Sequence, residues 1–378
     1  MTIYFVAGEV SADNHGAALM RCLRELDGEL KFVGRGGPQM QEIAGEQFKN
    51  WIGEAAVLGL WEVLRKYGYF REQFHETLQE IRESKPDAAV LIDYPGFNLR
   101  LARALRRQAP LQKIIYYISP QVWAWNRGRI KRMAHFIDLV LCIFPFEVDP
   151  YNQAGLRALF VGHPMIERLQ GRKIDTERDP NLIGLFPGSR SREVRKIFPV
   201  MLETARELRK RNRNLRFEVA AASEQLAREM KPVGAGLDQS QDREAIQIKV
   251  DETAVIMQRV WAAIVASGSA TLEAAYFRLP FVLIYKVAWP TYLAARLVVS
   301  VKYLGMPNLL ADKEVIPEFI QHGAKPNALV KAMQPLIENA NARQQMISQF
   351  DVIIAKLGGG GASGRAARAI IEEIGSAT

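Results

Sequence analysis

Short apolar runs that stop at a tight loop and give way to an amphipathic segment recur along the whole chain, and this alternation restricts the fold more than any other feature. Its clearest instance is NLIGLFPGSRSREVRK at residues 181–196. The run 182–186 ends at Pro187, Gly188 and Ser189. Val194, Ile197, Phe198, Met201, Leu202, Ala205 and Leu208 then return at the spacing of one helix face. The stretch reads strand, loop, helix, with Pro199 either bending the helix after about two turns or opening its main segment.

Strand-type runs at 3–7, 30–33, 88–92, 113–118, 139–144 and 158–161 form a first set, and runs at 182–186, 217–221, 246–250, 262–265 and 281–285 a second. Strands alternating with helices predict an α/β fold of two doubly wound, mostly parallel sheets. A chain of 378 residues is also long for one domain. The polar stretch 164–180 is the expected linker. The expected domains are 1–168, completed by a closing helix at about 358–378 after the glycine run 358–361, and 169–357. Two such Rossmann-like halves imply an interdomain cleft, with ligands beyond the carboxyl ends of the strands.

Composition removes several function classes. Cys22 and Cys142 both lie in apolar patterns, and the five histidines have no metal-ligand spacing, so neither a disulfide framework nor a metal site is expected. No apolar run reaches transmembrane length, because 287–303 is broken by Pro290, Arg296 and Lys302. Residue 3 already opens a strand, with no export signal before it, so a cytoplasmic protein is expected. The net charge of +9 is concentrated between Asp93 and Asp138, which encloses nine bases and no acid: Arg100, Arg103, Arg106, Arg107, Lys113, Arg127, Arg129, Lys131 and Arg132. Elsewhere bases and acids balance. Such a field favours a polyanion, an anionic membrane face or a phosphorylated substrate. Nucleic acid is not expected, since no nucleic-acid module accompanies the charge.

Several loops carry residues suited to chemistry. Gly188, Ser189 and Arg190 open a helix, offering backbone N–H groups, the positive end of a helix dipole and a forked cation for phosphate, joined by Arg192. Ser267, Gly268, Ser269, Ala270 and Thr271 repeat that arrangement, with Glu273 placed to accept from ribose hydroxyls; the same cluster also suits a plain N-cap. Together the two loops read as a nucleotide-sugar site. Asp93 closes a strand in LIDYPGFN, where a general base belongs, although a turn residue is equally consistent. Glu9 and Asp13 share that face, and at least one is expected to cap the following helix. His163 in GHP reads first as a structural residue, and Asn308 in MPNLL either donates to a ligand or fixes its loop. The stretches 56–74, with Leu60, Trp61 and Leu64, and 289–310 carry aromatic and aliphatic side chains flanked by bases. They suit interfacial helices on anionic lipid, or helices packed on the core.

Read together, GEVSAD, LIDYPGFN, SPQVWAW, FPFE, VGHP, FPGSRSREV, ASGSATLE, PNLL and GGGGASGRAA resemble the lipid A disaccharide synthases, a family of GT-B glycosyltransferases. The motifs run through the whole chain in the family's order. Two positions depart from it: Ala12 stands where glycine is usual, and Ser269 where threonine is common.

The resemblance implies an inverting transfer of 2,3-diacylglucosamine from UDP-2,3-diacylglucosamine to the 6-hydroxyl of lipid X, releasing UDP. It implies no cofactor and no metal, in keeping with the lack of an Asp-x-Asp motif. Asp93 would be the base, Arg190 would stabilise charge on UDP, and Glu9 and Asn308 would position substrate. Gly188, Ser189, Glu193 and residues 267–271 with Glu273 would hold the UDP-sugar. Ser11, Asp13, Phe97, Asn98, Ser119, Trp123, Trp125 and the 60–64 stretch would meet substrate or lipid. A monomer or homodimer, peripheral on the cytoplasmic face of the inner membrane, is implied. The competing readings are another GT-B UDP-sugar enzyme, such as a peptidoglycan-precursor transferase or an epimerase, and a non-catalytic UDP-sugar-binding protein of the membrane surface.

Overall fold

The computed structural model describes residues 1–55, 67–120, 128–235, 245–287 and 302–375. The chain divides into two units, Met1–Pro164 with Leu357–Thr378, and Met165–Lys356.

The first unit is built on seven parallel strands: β1 (Thr2–Ala7), β2 (Lys31–Gly36), β3 (Phe48–Asn50), β4 (Ala88–Ile92), β5 (Lys113–Tyr117), β6 (Leu139–Cys142) and β7 (Ala158–Phe160). Their order across the sheet is β3-β2-β1-β4-β5-β6-β7. The central strands are apolar throughout because both faces are covered. Ile3 and Phe5 of β1 point into one core with helix α1 (Val10–Leu26), Met40 of α2 (Pro38–Ala44) and the last helix, Ala362–Gly375. Tyr4 and Val6 point into the opposite core with α3 (Tyr67–Ser84) and α4 (Pro95–Gln108). Arg35 of β2 is fully buried and is held by Glu76 (2.9 Å) and Glu80 (2.6 Å) of α3. A buried charge is tolerated only when paired in this way, so the pair fixes α3 on the sheet.

The second unit has six parallel strands: β8 (Asp179–Phe186), β9 (Arg216–Ala221), β10 (Ile246–Val250), β11 (Val260–Ala266), β12 (Phe281–Tyr285) and β13 (Glu318–Ile320). They are ordered β10-β9-β8-β11-β12-β13. Helices α5 (Ser191–Arg211), α6 (Ala270–Tyr276) and α7 (Met306–Ala311) carry the segments of interest. Helix α5 runs through Pro199 without a break, so this proline does not open a separate segment. Its buried face is the predicted one, Val194 to Leu208.

Strands β3 and β13 are additions to the expected set; at three residues each they are too short for a period of two to register. The first boundary falls at Pro164, ahead of the expected 168, because the helix Met165–Gln170 belongs to the second unit, where its Arg168 pairs with Glu273 of α6 at 2.7 Å. Cys142 is buried and Cys22 half-buried, and the two form no disulfide. Among the described residues no helix is long and apolar enough to cross a membrane, and no cluster suited to a metal ion occurs.

Candidate active site

In a doubly wound sheet a crevice opens where the strand order reverses, at the carboxyl ends of the two strands that flank the reversal. In the second unit those strands are β8 and β11. The loops that follow them are Pro187–Arg190 and Ser267–Ser269, so the two suspected phosphate loops are neighbours. A Cβ on Gly188 would lie 3.7 Å from the Cβ of Ala266, at the end of β11. Gly188 and Gly268 have φ of +104° and +146°, values that L side chains rarely adopt.

The first of these loops feeds the N-terminus of a 21-residue helix. Arg190 is its N-cap, in extended geometry and without a side-chain cap bond. Its guanidinium is 69% exposed and meets Glu193 at 3.4 Å. An exposed pair of this length contributes little, so the cation remains open to an anion. Helix α6, in contrast, has seven residues, so its dipole adds less than the sequence reading assigned to it. Thr271 is fully buried and its hydroxyl donates to the Gly268 carbonyl at 2.7 Å, shaping the loop from within rather than facing a ligand. Ser269 is exposed, and Ser267 is half-buried with its amide on the Ile284 carbonyl at 3.1 Å. Glu273 accepts from Arg168, an ion pair that sequence spacing does not show because 105 residues separate the partners. Tyr285, at the end of β12, was also missed. Burial and the neighbouring Glu193 raise the pKa of its phenol, while Arg190 acts oppositely, which places the ring beside the α5 N-terminus.

In the first unit the order reverses between β1 and β4. Glu9 follows β1 and is exposed; Asp93 follows β4 and is half-buried. Burial first, and then the negative charge of Glu9, push the Asp93 carboxyl up to about 6, against a lowering hydrogen bond from the Tyr94 backbone. Asp93 and Tyr94 have φ of 46° and 50°, consecutive left-handed residues without a glycine. Such strain costs of the order of 1–3 kcal/mol per residue and persists only where neighbours impose it. The Tyr94 ring packs over Gly8, where a Cβ would meet it at 2.4 Å. Trp51, Tyr94 and Phe97 form an aromatic cluster at this end of the sheet, with ring centroids 5.1–6.3 Å apart.

Five of the sequence-derived site residues have other work. Asp13 is 2% exposed, and its carboxylate accepts from the amides of Gly37 (3.0 Å), Gln39 (3.1 Å) and Met40 (3.0 Å). It therefore caps α2, not its own helix, which starts at Val10 with no side-chain cap from Glu9. Asn308 is fully buried; it donates to Ile316 O and Glu318 Oε1 (both 2.8 Å) and accepts from Val315 N (2.7 Å) and Ile316 N (2.9 Å). With every donor and acceptor engaged it fixes its loop, the alternative left open by the sequence. Asn98 is also fully buried and bonds the end of β4, Phe97 is a core residue, and Ser119 lies buried against the Cys142 thiol. Ser11 is exposed on the first turn of α1. Leu60, Trp61, Leu64, Trp123 and Trp125 lie outside the described residues, as does most of 289–310. Of the nine bases, Arg106 pairs with Asp138 (2.6 Å) and Lys113 with Glu373 (2.8 Å), whereas Arg100, Arg103, Arg107, Lys131 and Arg132 are exposed.

Comparison with known proteins agrees with this architecture. The sequence profile of the lipid-A-disaccharide synthetase family matches residues 3–361. The lipid-A-disaccharide synthase of Geobacter sulfurreducens is 38% identical over 99% of this chain and 97% of its own length. Among solved structures, S. aureus MnaA in complex with UDP superimposes with a TM-score of 0.64 at 14% identity, covering 99% of this chain and 97% of its own. The UDP-GlcNAc 2-epimerase of Neisseria meningitidis bound to UDP-GlcNAc does so with a TM-score of 0.63 at 11% identity, covering 98% and 99%. At such identities the likeness is one of fold, the GT-B arrangement of two parallel-sheet units.

Proposed function

This chain belongs to the lipid-A-disaccharide synthetase family, and we propose that it is an inverting glycosyltransferase that joins two acylated glucosamines. The donor is UDP-2,3-diacylglucosamine, the acceptor is lipid X, and the products are the β-1,6-linked disaccharide phosphate and UDP. The observation that carries this reading is the family match along nearly the whole chain, supported by two phosphate-type loops side by side at the β8/β11 reversal.

In the proposed reaction the acceptor 6-hydroxyl oxygen attacks the anomeric carbon of the donor. Asp93 takes the hydroxyl proton as the new bond forms. A carboxyl with a pKa near 6 is ionised at neutral pH yet basic enough to accept it. The bond between the anomeric carbon and the UDP oxygen breaks with its electron pair on UDP. Arg190 and the backbone amides opening α5 stabilise that charge, in the manner of donors aimed where charge develops. Protein cations take the part that a metal ion plays in other transferases. Glu273 accepts from the ribose, oriented by Arg168, and Glu9 orients the acceptor beside Asp93. The exposed bases of α4 and of Gly128–Met133 face the anionic headgroups of the membrane on which both lipid substrates reside.

The test is transfer by the purified protein in detergent, with both lipid substrates and with EDTA present. Disaccharide phosphate formed in EDTA supports the reading. Release of UDP without disaccharide assigns another acceptor or hydrolysis, and UDP binding without turnover assigns a binding protein.

A further inference from the structure

The Asp93–Tyr94 turn departs from the ordinary backbone more sharply than any other part of the candidate site, and the side chains that hold it lie on two different elements. The Asp93 carbonyl receives two buried donors. The Tyr116 hydroxyl, from the carboxyl end of β5, donates to it at 2.5 Å, and Asn98 Nδ2, from the first turn of α4, donates at 2.8 Å. Both residues are fully buried. A second bond from Asn98 Nδ2 reaches the Ile92 carbonyl at 3.2 Å, and the Asp93 amide donates to the Tyr117 carbonyl at 3.0 Å. Strand-to-helix turns ordinarily need no such clamp: a glycine or asparagine takes the left-handed position without help. Here an aspartate and a tyrosine occupy two such positions in a row, and the helix that follows, α4, takes Tyr94 as its N-cap.

We propose that Tyr116 and Asn98 are positioning residues for the transfer reaction: by gripping the Asp93 carbonyl from β5 and α4 they hold the left-handed turn that presents the Asp93 carboxyl. The inference rests on the reading of Asp93 as the base. Neither side chain needs to touch substrate. A relaxed turn would rotate the carboxyl away from its place at the end of β4, and misplacement of a catalytic group by about 1 Å lowers the rate by about a hundredfold. Among the described residues, the titratable and charged groups that face this turn are Glu9 from the β1–α1 loop, the Tyr94 phenol and Tyr116 itself, with Tyr151 and Arg129 acting on Tyr116. Burial is the largest of the influences on the Asp93 carboxyl, so a turn that relaxes toward solvent lowers its pKa.

Tyr116→Phe and Asn98→Ala, each alone, are compared with the parent protein and with Asp93→Ala. Measured are kcat and KM for both lipid substrates, UDP affinity, and the pH profile of kcat. Tyr116→Phe is expected to lower kcat about ten- to hundredfold, with KM and UDP affinity within about twofold of the parent, and to move the acid limb of the profile to lower pH. A purely structural role would not split kcat from KM or move that limb. Parent-like kcat and profile in Tyr116→Phe overturn the inference, as does a rise in KM with kcat unchanged. If Asn98→Ala fails to fold, Tyr116→Phe, which keeps the ring and its packing, decides alone. Normal turnover by Asp93→Ala overturns the base reading and this inference with it; an inactive Asp93→Ala beside a fully active Tyr116→Phe overturns this inference only.

Discussion

A half-buried carboxyl held beside another carboxylate destabilises the fold whenever it is charged, so Asp93→Asn should make the protein more stable while abolishing transfer. The ordinary value of 3.8 becomes about 6 in the folded chain. Between those values the folded state keeps a proton that the unfolded state releases, so this group's contribution is fully favourable below about pH 4 and is lost as pH rises through about 6. At about 1.4 kcal/mol per pH unit the loss is about 3 kcal/mol, or about 1–2 kcal/mol once solvent screening of a half-buried group is included. Asparagine is isosteric, carries no charge and tolerates the left-handed φ of 46° at this position. Calorimetry of Asp93→Asn at about pH 8 should show the Tm raised by about 3–6 °C, and at about pH 4.5 the difference should shrink to about a third of that. A Tm unchanged or lowered at pH 8, or raised equally at both pH values, would refute the reasoning, because the strain would then not come from the buried charge.

Asp13→Ala removes the acceptor of three amides at the start of α2 and should lower stability by about 3 kcal/mol without changing UDP affinity; a stable variant with a raised substrate KM would return Asp13 to the binding site. Arg190→Ala should weaken UDP binding about tenfold or more in calorimetric titration, since the guanidinium has only a weak internal partner, and unchanged affinity would remove it from the site. Replacing Leu60, Trp61 and Leu64 together by serine should release the protein from anionic vesicles in a flotation assay; retained binding with a lowered Tm would make that stretch part of the core.

The sequence shows those parts of the fold that local chemistry determines. The run 182–186, the loop at Gly188 and the helix face from Val194 to Leu208 all recur in the structure because a 3.6-residue period and a glycine stop are local signals. Strand order is not a local signal. That the loops after β8 and β11 lie side by side, and likewise Glu9 and Asp93, depends on how the strands are wound into each sheet. For the same reason the motif around Asp13 shows a polar group but not its role, because the amides that engage it lie 24 to 27 residues away. Tyr116 lies within the apolar run 113–118, where no local signal marks it, and only its hydroxyl bond to the Asp93 carbonyl distinguishes it. Arg168 stood in the polar stretch read as a linker, and its partner Glu273 lies in another part of the sequence.

The most direct test of the central claim is the fate of the two lipid substrates under the Asp93→Ala substitution, followed by product analysis in EDTA beside the parent protein. The parent should convert UDP-2,3-diacylglucosamine and lipid X to the disaccharide phosphate with equal release of UDP, and the variant should bind UDP normally yet form no disaccharide. Disaccharide formed at the parent rate by Asp93→Ala, or a parent protein that turns over only when a divalent cation is restored, would contradict the account.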